Sequence, residues 1–311
     1  MISRKLLLKL GVFLILALFL LAIGGIFFPV PPPHVYLPGD KLFWVAGFPI
    51  TNTFISSWLT IIVLSLLFFL GTRRMKIVPR GLQNICELIV ETIIGFCESV
   101  AGKDYGRKFS IVVGTILLFV LMNAWLSLLP GFKVIGFGEH GVFETAFFGE
   151  REGFIVHKPL FRNANTDINV PLSLAIVSFI FVQFWGTRAL GARKYLGKFV
   201  RIGPMLHGLK EFFKGKVLDG LMGLFIGFIQ IFVGALELIS EFVRVISFTF
   251  RLFGNMTAGA TVVLMIAFLI PWLVPVPFYG LEMILGFVQA LIFGGLTLVF
   301  AATAITPHEE H

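Results

Sequence analysis

Glu237, Arg244 and Arg251 stand in the stretch ELISEFVRVISFTFRLFGNMTAGAT, residues 237–261, inside one of the most apolar regions of the chain. Charge in such surroundings is costly enough to require a purpose. Wound as a helix, Glu237, Ser240, Arg244, Ser247, Arg251, Asn255 and Ala258 fall within roughly 40° of one line, which makes a polar stripe. A guanidinium keeps its proton, so it neither relays protons nor loses its charge when desolvated. A carboxylic acid brought beside it is favoured as its anion and releases a proton; returned to apolar surroundings, it must be protonated again. Gly254, Ala258, Gly259 and Ala260 cluster after Arg251, and small residues let another helix approach closely.

The two arginines differ. Arg244 is near the basic loop preceding the helix, so it either snorkels to a headgroup surface or takes an accessory part in the stripe with Ser247. Apolar sequence continues for nearly twenty residues beyond Arg251, which argues against a simple snorkel there. A second stripe, Glu282, Gly286, Gln289 and Phe293, recurs at steps of four, three and four residues near the C-terminus. Two polar stripes on adjacent helices suggest an aqueous path. Interhelical hydrogen bonding is the alternative, and it accounts for Gln289 and Asn255 better than for Glu282, whose burial as an anion is costly.

The elements that hold these residues are membrane helices. The chain has 311 residues, 57% of them hydrophobic, and a mean hydropathy of +0.95. Its apolar runs are separate, so the expected fold is all-α and polytopic, with five or six membrane helices. The net charge of +8 comes from Lys and Arg in short loops between those runs, which speaks against nucleic acid. Segments 29–50 and 131–166 carry five Lys/Arg against fifteen in 71–110 and 187–216, so the latter two are expected on the cytoplasmic side. Cys86 and Cys97 are eleven residues apart on one expected helix, about 16 Å along its axis, and read as free thiols. No histidine pair has metal-ligand spacing and no phosphate-binding glycine loop appears, so no metal, cofactor or nucleotide site is expected.

Residues 6–28 form an apolar run before Pro29, read as a retained anchor in preference to a cleaved signal; residues 1–50 are taken as this anchor plus an external segment, and 51–311 as the membrane domain. Thr51–Leu70 is a span ending at Arg73, Arg74 and Lys76. Residues 82–100 read as an amphipathic helix on the membrane surface and Ile111–Leu129 as the next span. The segment 131–166 reads as a solvated loop. Val170–Arg188 returns inward after Asp167 and Asn169, towards Arg193, Lys194, Lys198 and Arg201. Residues 217–270 are nearly free of breakers and would be about 80 Å long as one helix, against a hydrocarbon thickness of ~30 Å. The stretch must break near Gly234 or lie steeply tilted. Pro271, Pro275 and Pro277 make a hairpin turn, Phe278–Ile305 returns to the cytoplasm, and the tail PHEEH is solvated.

The run RLFGNMTAGA, with Glu237 fourteen residues before its arginine and Gln289 in FVQALIF, resembles subunit a of the rotary F-type ATP synthase. A weaker likeness extends through LMNAWLSLLP at 121–130 and TDINVPLSLA at 166–175. The resemblance implies that the last two helices form a long oblique hairpin wrapped against a rotor. It implies a non-catalytic, proton-translocating stator, with ATP chemistry left to other subunits. Arg251 is then the charge barrier facing a ring carboxylate. Asp167, Asn169, Asn255, Glu282 and Gln289 belong to the external proton path, and Glu237 and Ser240 to the cytoplasmic one. The implied partners are a ring of c subunits, peripheral stalk b subunits and membrane lipid, in a bacterial plasma membrane with the C-terminus cytoplasmic. In much of the family the residue nine places after the arginine is Glu and the residue seven before the glutamine is His; here these are Ala260 and Glu282. Folding the chain about the centre of 271–277 sets Ala260 opposite Val288, so an axial slip of about 9 Å is needed to bring it to Glu282. The resemblance, not geometry, supplies that register.

Two rival classes are an ion-coupled secondary transporter and a structural membrane scaffold. The first would more often show internal repeats, and no duplicated pattern is found. The second gives no reason to bury Arg251 and Glu282.

Overall fold

The computed structural model describes residues 39–45, 47–129, 135–145, 149–191, 217–271 and 274–306, with residues 30–32 and isolated positions elsewhere. Most of the apolar run 6–28, the basic residues Arg193, Lys194, Lys198 and Arg201, and the tail from 307 lie outside the described residues. Among the described residues, five helices are long and apolar enough to cross a membrane. They are α1 (Asn52–Thr72), α2 (Leu82–Leu126), α3 (Asn169–Leu190), α4 (Val217–Leu269) and α5 (Pro275–Ile305). The chain is therefore a helical, multi-pass membrane protein, and a sixth span over 6–28 would lie outside the described residues.

Thr51 caps α1 by accepting from the Phe54 backbone N at 3.3 Å, which satisfies one of the donors a helix start leaves open. α2 is two limbs joined at Gly102, whose φ of 75° and ψ of 168° belong to a region that glycine alone adopts freely. The chain doubles back so closely that a Cβ on Gly106 would lie 2.6 Å from the Cα of Glu98. The limb before the turn is the helix expected over 82–100; the limb after it starts at Lys103 and stops at Leu126, short of the expected Leu129.

α4 runs unbroken through Gly234, so the expected alternative of a break there is removed. Its 53 residues extend for about 80 Å. α5 begins at Pro275, three residues earlier than expected, because proline is tolerated in a helix's first turn.

The segment 131–166 is not the solvated loop that its mixed charge suggested. Gly136–Thr145 (β3) pairs antiparallel with Gly149–Pro159 (β4), followed by a 3₁₀ turn at Ala164–Thr166. Glycines and charges on the strands masked the alternation, while Phe143, Ile155 and Val156 supply enough apolar surface to hold the pair. A shorter hairpin joins Lys41–Val45 (β1) to Phe48–Thr51 (β2) and leads directly into α1.

The chain divides into two compact units. In the unit drawn from Met1–Cys86, Leu117–Val170 and Leu252–Ile292, many buried side chains are polar: Asn52, Thr53, Thr60, Asn123, Asn165 and Thr166. Asn123 ties three segments together, donating to Thr60 Oγ1 at 3.0 Å and accepting from the Ala164 backbone N at 2.8 Å. Asn165 donates to the Val120 carbonyl at 3.2 Å. The other unit, from Glu87–Ile116, Pro171–Arg251 and Phe293–His311, has an apolar core of Cys97, Phe109, Val113, Val182, Leu298 and Ala301. There Phe109 meets Phe181 and Trp185 edge to face, with ring centroids 5.5 and 5.4 Å apart. Such pairs are worth about 0.5–1.5 kcal/mol beyond the area they bury.

Gly102→Ala should destabilise the protein by about 1–3 kcal/mol, because Ala pays for the backbone conformation that Gly adopts freely. Gly95→Ala, in open space on the first limb, should be neutral or slightly stabilising. Thermal unfolding of the purified protein checks both, and equal melting temperatures for the two variants would contradict the turn.

Candidate functional site

α4 carries the stripe expected from the sequence, and its members are in different states. Glu237 and Arg251 are half-buried, whereas Ser240 and Ser247 are exposed. Arg244 does not snorkel. Its Nη1 donates to Glu241 Oε2 at 2.9 Å, and its guanidinium lies 3.7 Å from the centroid of the Phe300 ring on α5. Glu241 is buried and also accepts from Gln183 Nε2 of α3 at 3.2 Å. Gln183 Oε1 in turn accepts from the Tyr195 hydroxyl at 2.6 Å. Burial first, then the charge of Glu241, pushes the Tyr195 pKa up to about 12, with Arg244 opposing. Tyr195 therefore stays a neutral donor through the physiological range, and the chain from Tyr195 to Arg244 stays closed.

Arg251 has no such partner. Among the described residues it makes no ion pair; Nη2 donates to Ser247 Oγ at a long 3.4 Å, and the guanidinium carbon is 5.8 Å from the Phe248 ring centroid. Next to it on the same helix, Gly254, Asn255 and Ala258 are exposed. α4 therefore presents an uncompensated cation on a face of small and polar side chains.

In the other unit Asp167 is buried, and Asn169 beside it is exposed. Asp167 Oδ2 accepts from Thr53 Oγ1 at 2.8 Å, and Oδ1 accepts from Asn169 Nδ2 at 2.9 Å. Glu282 and Gln289 are both buried on α5. A Cβ on Gly259 would lie 3.6 Å from Glu282 Cγ and 3.8 Å from its Oε1, so the residue before Ala260 packs against Glu282. Trp125 Nε1 donates to the Met283 carbonyl at 3.1 Å, and a Cβ on Gly286 would lie 2.8 Å from that of Ala124, so α5 is seated tightly on the second limb of α2.

The sequence matches the ATP synthase A chain family over residues 54–302. The chain belongs to that family. Proteins called ATP synthase subunit a are similar along nearly their whole length. One from Helicobacter pylori is 27% identical over 275 residues, covering 87% of this chain and 99% of its own. One from a Nitratiruptor species is 29% identical over 261 residues, covering 84% and 91%. The Moorella thermoacetica protein is 26% identical over 268 residues, covering 86% and 97%. An A chain is a membrane-sector subunit and not the catalytic one.

In this A chain the sequence reading missed Glu241, Gln183, Tyr195 and Thr53. Glu241 carried a signal, since it precedes Arg244 by three residues, the spacing of a helical ion pair. Gln183 and Tyr195 lie far away in sequence and carried none.

Glu241→Gln should leave Arg244 without its carboxylate and destabilise the subunit by about 3–5 kcal/mol, the usual cost of breaking a pair of low exposure. Glu241→Gln/Arg244→Gln should recover most of that loss. Melting temperatures of the four members of this double-mutant cycle measure the coupling, and additive effects would show that the pair contributes nothing.

Proposed function

We propose that this A chain is the proton-translocating stator of a rotary F-type ATP synthase in a bacterial plasma membrane, with residues 51–311 as its membrane domain and the C-terminus cytoplasmic. The observation that carries this is the contrast on α4: Arg244 is neutralised by Glu241, while Arg251, two turns on, has no carboxylate among the described residues. An unpaired guanidinium at a face of small residues suits a carboxylate delivered by a partner. The partner is a ring of c subunits, each bringing one buried carboxyl group past Arg251, and peripheral stalk b subunits hold the stator still against it. The long continuous α4 and α5 lie obliquely along the ring.

Beside Arg251 the ring carboxyl loses its proton, because the cation favours the anion. Moved on into lipid, it must be neutral again. Two half-channels offset across Arg251 turn this requirement into rotation, each charge drawing about 2.3 kcal/mol from 100 mV. Asp167, Asn169, Asn255, Glu282 and Gln289 serve the external half, and Glu237 and Ser240 the cytoplasmic half. The kinship to proteins named ATP synthase subunit a supports this reading.

Arg251→Ala should assemble and abolish ATP-driven proton pumping in reconstituted vesicles. Arg251→Lys should fail nearly as completely, since the ammonium is more strongly hydrated and lacks the planar fork. Normal coupled pumping by Arg251→Ala would sink the stator reading.

Glu282 is the relaying carboxylate of the external half, and the contact of Gly259 with Glu282 supports a pocket shared with position 260. Glu282→Ala should impair pumping, and Glu282→Ala/Ala260→Glu should restore part of it. Full pumping by Glu282→Gln would end the relay assignment, because an amide cannot carry the proton.

A further inference from the structure

Asp167 is roofed by backbone. A Cβ on Gly39 would lie 2.7 Å from Asp167 Oδ2, 2.8 Å from Thr53 Oγ1 and 3.3 Å from Thr51 Cβ, so the chain passes over the carboxylate at a distance only glycine allows. The next residue is latched to the start of α1. The Asp40 backbone N donates to Asn52 Oδ1, Asn52 Nδ2 donates to Asp40 Oδ2, and the Asn52 backbone N donates to the Asp40 carbonyl, each at 3.1 Å. Asn52 Nδ2 also reaches the Pro159 carbonyl at 3.3 Å, which ties the latch to the end of β4. Arg162 stands close enough to feel both carboxylates: burial lowers its pKa, and the charges of Asp40 and Asp167 oppose that. Asp167 is left 4% exposed.

We propose that Gly39 and Asp40 form a strap that governs access of external protons to Asp167, with the Asp40–Asn52 hydrogen bonds as its latch. The proposal rests on the assignment of Asp167 to the external path. A carboxylate that exchanges protons with bulk water must be reached by water, and the latched strap covers the oxygen that faces Thr53. Exchange then requires local release of the strap, a short segment held by hydrogen bonds that water can replace. Gly39 has its place because any side chain there would strike the carboxylate. Asp40 keeps the strap registered on Asn52.

The test is a reversible lock. Asp40→Cys/Asn52→Cys, in a Cys86→Ser/Cys97→Ser background, is assembled with its partners and reconstituted in vesicles. Oxidation should tie the strap down and slow ATP-driven pumping about tenfold, and reductant should restore the rate. A strap that merely holds the hairpin to α1 predicts no change on oxidation, since the closed arrangement is already present. Pumping at the same rate in the cross-linked and reduced forms, with the cross-link shown by mass spectrometry, would overturn the strap. Gly39→Val gives an independent reading if the pair does not form: its side chain cannot seat over the carboxylate, so the strap stays released and pumping should persist while the subunit assembles, and a loss as complete as that of Asp167→Asn would again overturn the proposal. Asp167→Asn, measured in the same vesicles, separates the two ideas. If it pumps normally, the external assignment of Asp167 has failed; if it is inactive while the oxidised pair pumps freely, that assignment stands and only the strap falls.

Discussion

Charge held among apolar side chains must be compensated, and most of the polar arrangement in this A chain follows from that requirement. The cost of an uncompensated ion in hydrocarbon is several kcal/mol or more, larger than any single packing contact offsets. Arg244 meets the requirement in full. A carboxylate three residues before it and the face of an aromatic ring from α5 each take part of its charge, and an amide from α3 holds that carboxylate in place. Arg251 has the same side chain on the same helix and, among the described residues, only donates a long hydrogen bond to a serine's oxygen and lies near a distant ring. Identical chemistry treated in two ways within two turns is what separates a structural arginine from one left for a partner on the proposed reading.

The unit that holds Asp167 adds neutral groups to the charge of Arg162. Asparagine offers two donors and an acceptor on one short side chain, so it can join backbone and hydroxyl groups without needing a counter-charge. Asn123 does this between Thr60 and Ala164, and Asn52 between Asp40 and Pro159. Asp167 fits the scheme because Thr53 and Asn169 donate to both of its oxygens. A network of this kind is rigid when fully bonded and gives way where one bond is lost, so it suits a place where water must be admitted at some moments and excluded at others.

The membrane helices were legible because their signal is composition over some twenty residues, and the stripe on α4 because period 3.6 survives in a sequence without breakers. A break between 100 and 111 was legible from the change of an amphipathic run to an apolar one, but the sharp reversal at Gly102 was not, since Ala101 and Lys103 beside it are good helix formers. The β3–β4 hairpin was hidden by the glycines and charges along its strands. Among site residues, Asp167, in the polar run RNANTDIN, was reached only through the resemblance, whereas Arg251 and Glu282 could be singled out because they are ionisable residues in apolar sequence. Their surroundings could not, since Gln183, Tyr195 and Thr53 are ordinary residues whose meaning comes from what lies across the fold. Even the pairing of Arg244 was readable only as a spacing, and spacing left snorkelling open.

The register of α4 on α5 shows how a short contact limits what a sequence may exchange. Counting back from the proline turn sets Ala260 against Val288, whereas Gly259 is found against Glu282, almost two turns away. Prolines at the turn take up the difference: Pro271 ends one helix and Pro275 starts the next, so the link between them need not divide the hairpin evenly. Gly259 lies against the Glu282 side chain, so positions 260 and 282 are neighbours, which gives a physical meaning to the Ala260 and Glu282 pair that the family resemblance singled out. Had a large side chain stood at 259, the helices would be held apart and a carboxylate moved from one to the other would meet different surroundings. A small residue at 259 therefore suits the proposed relay on α5.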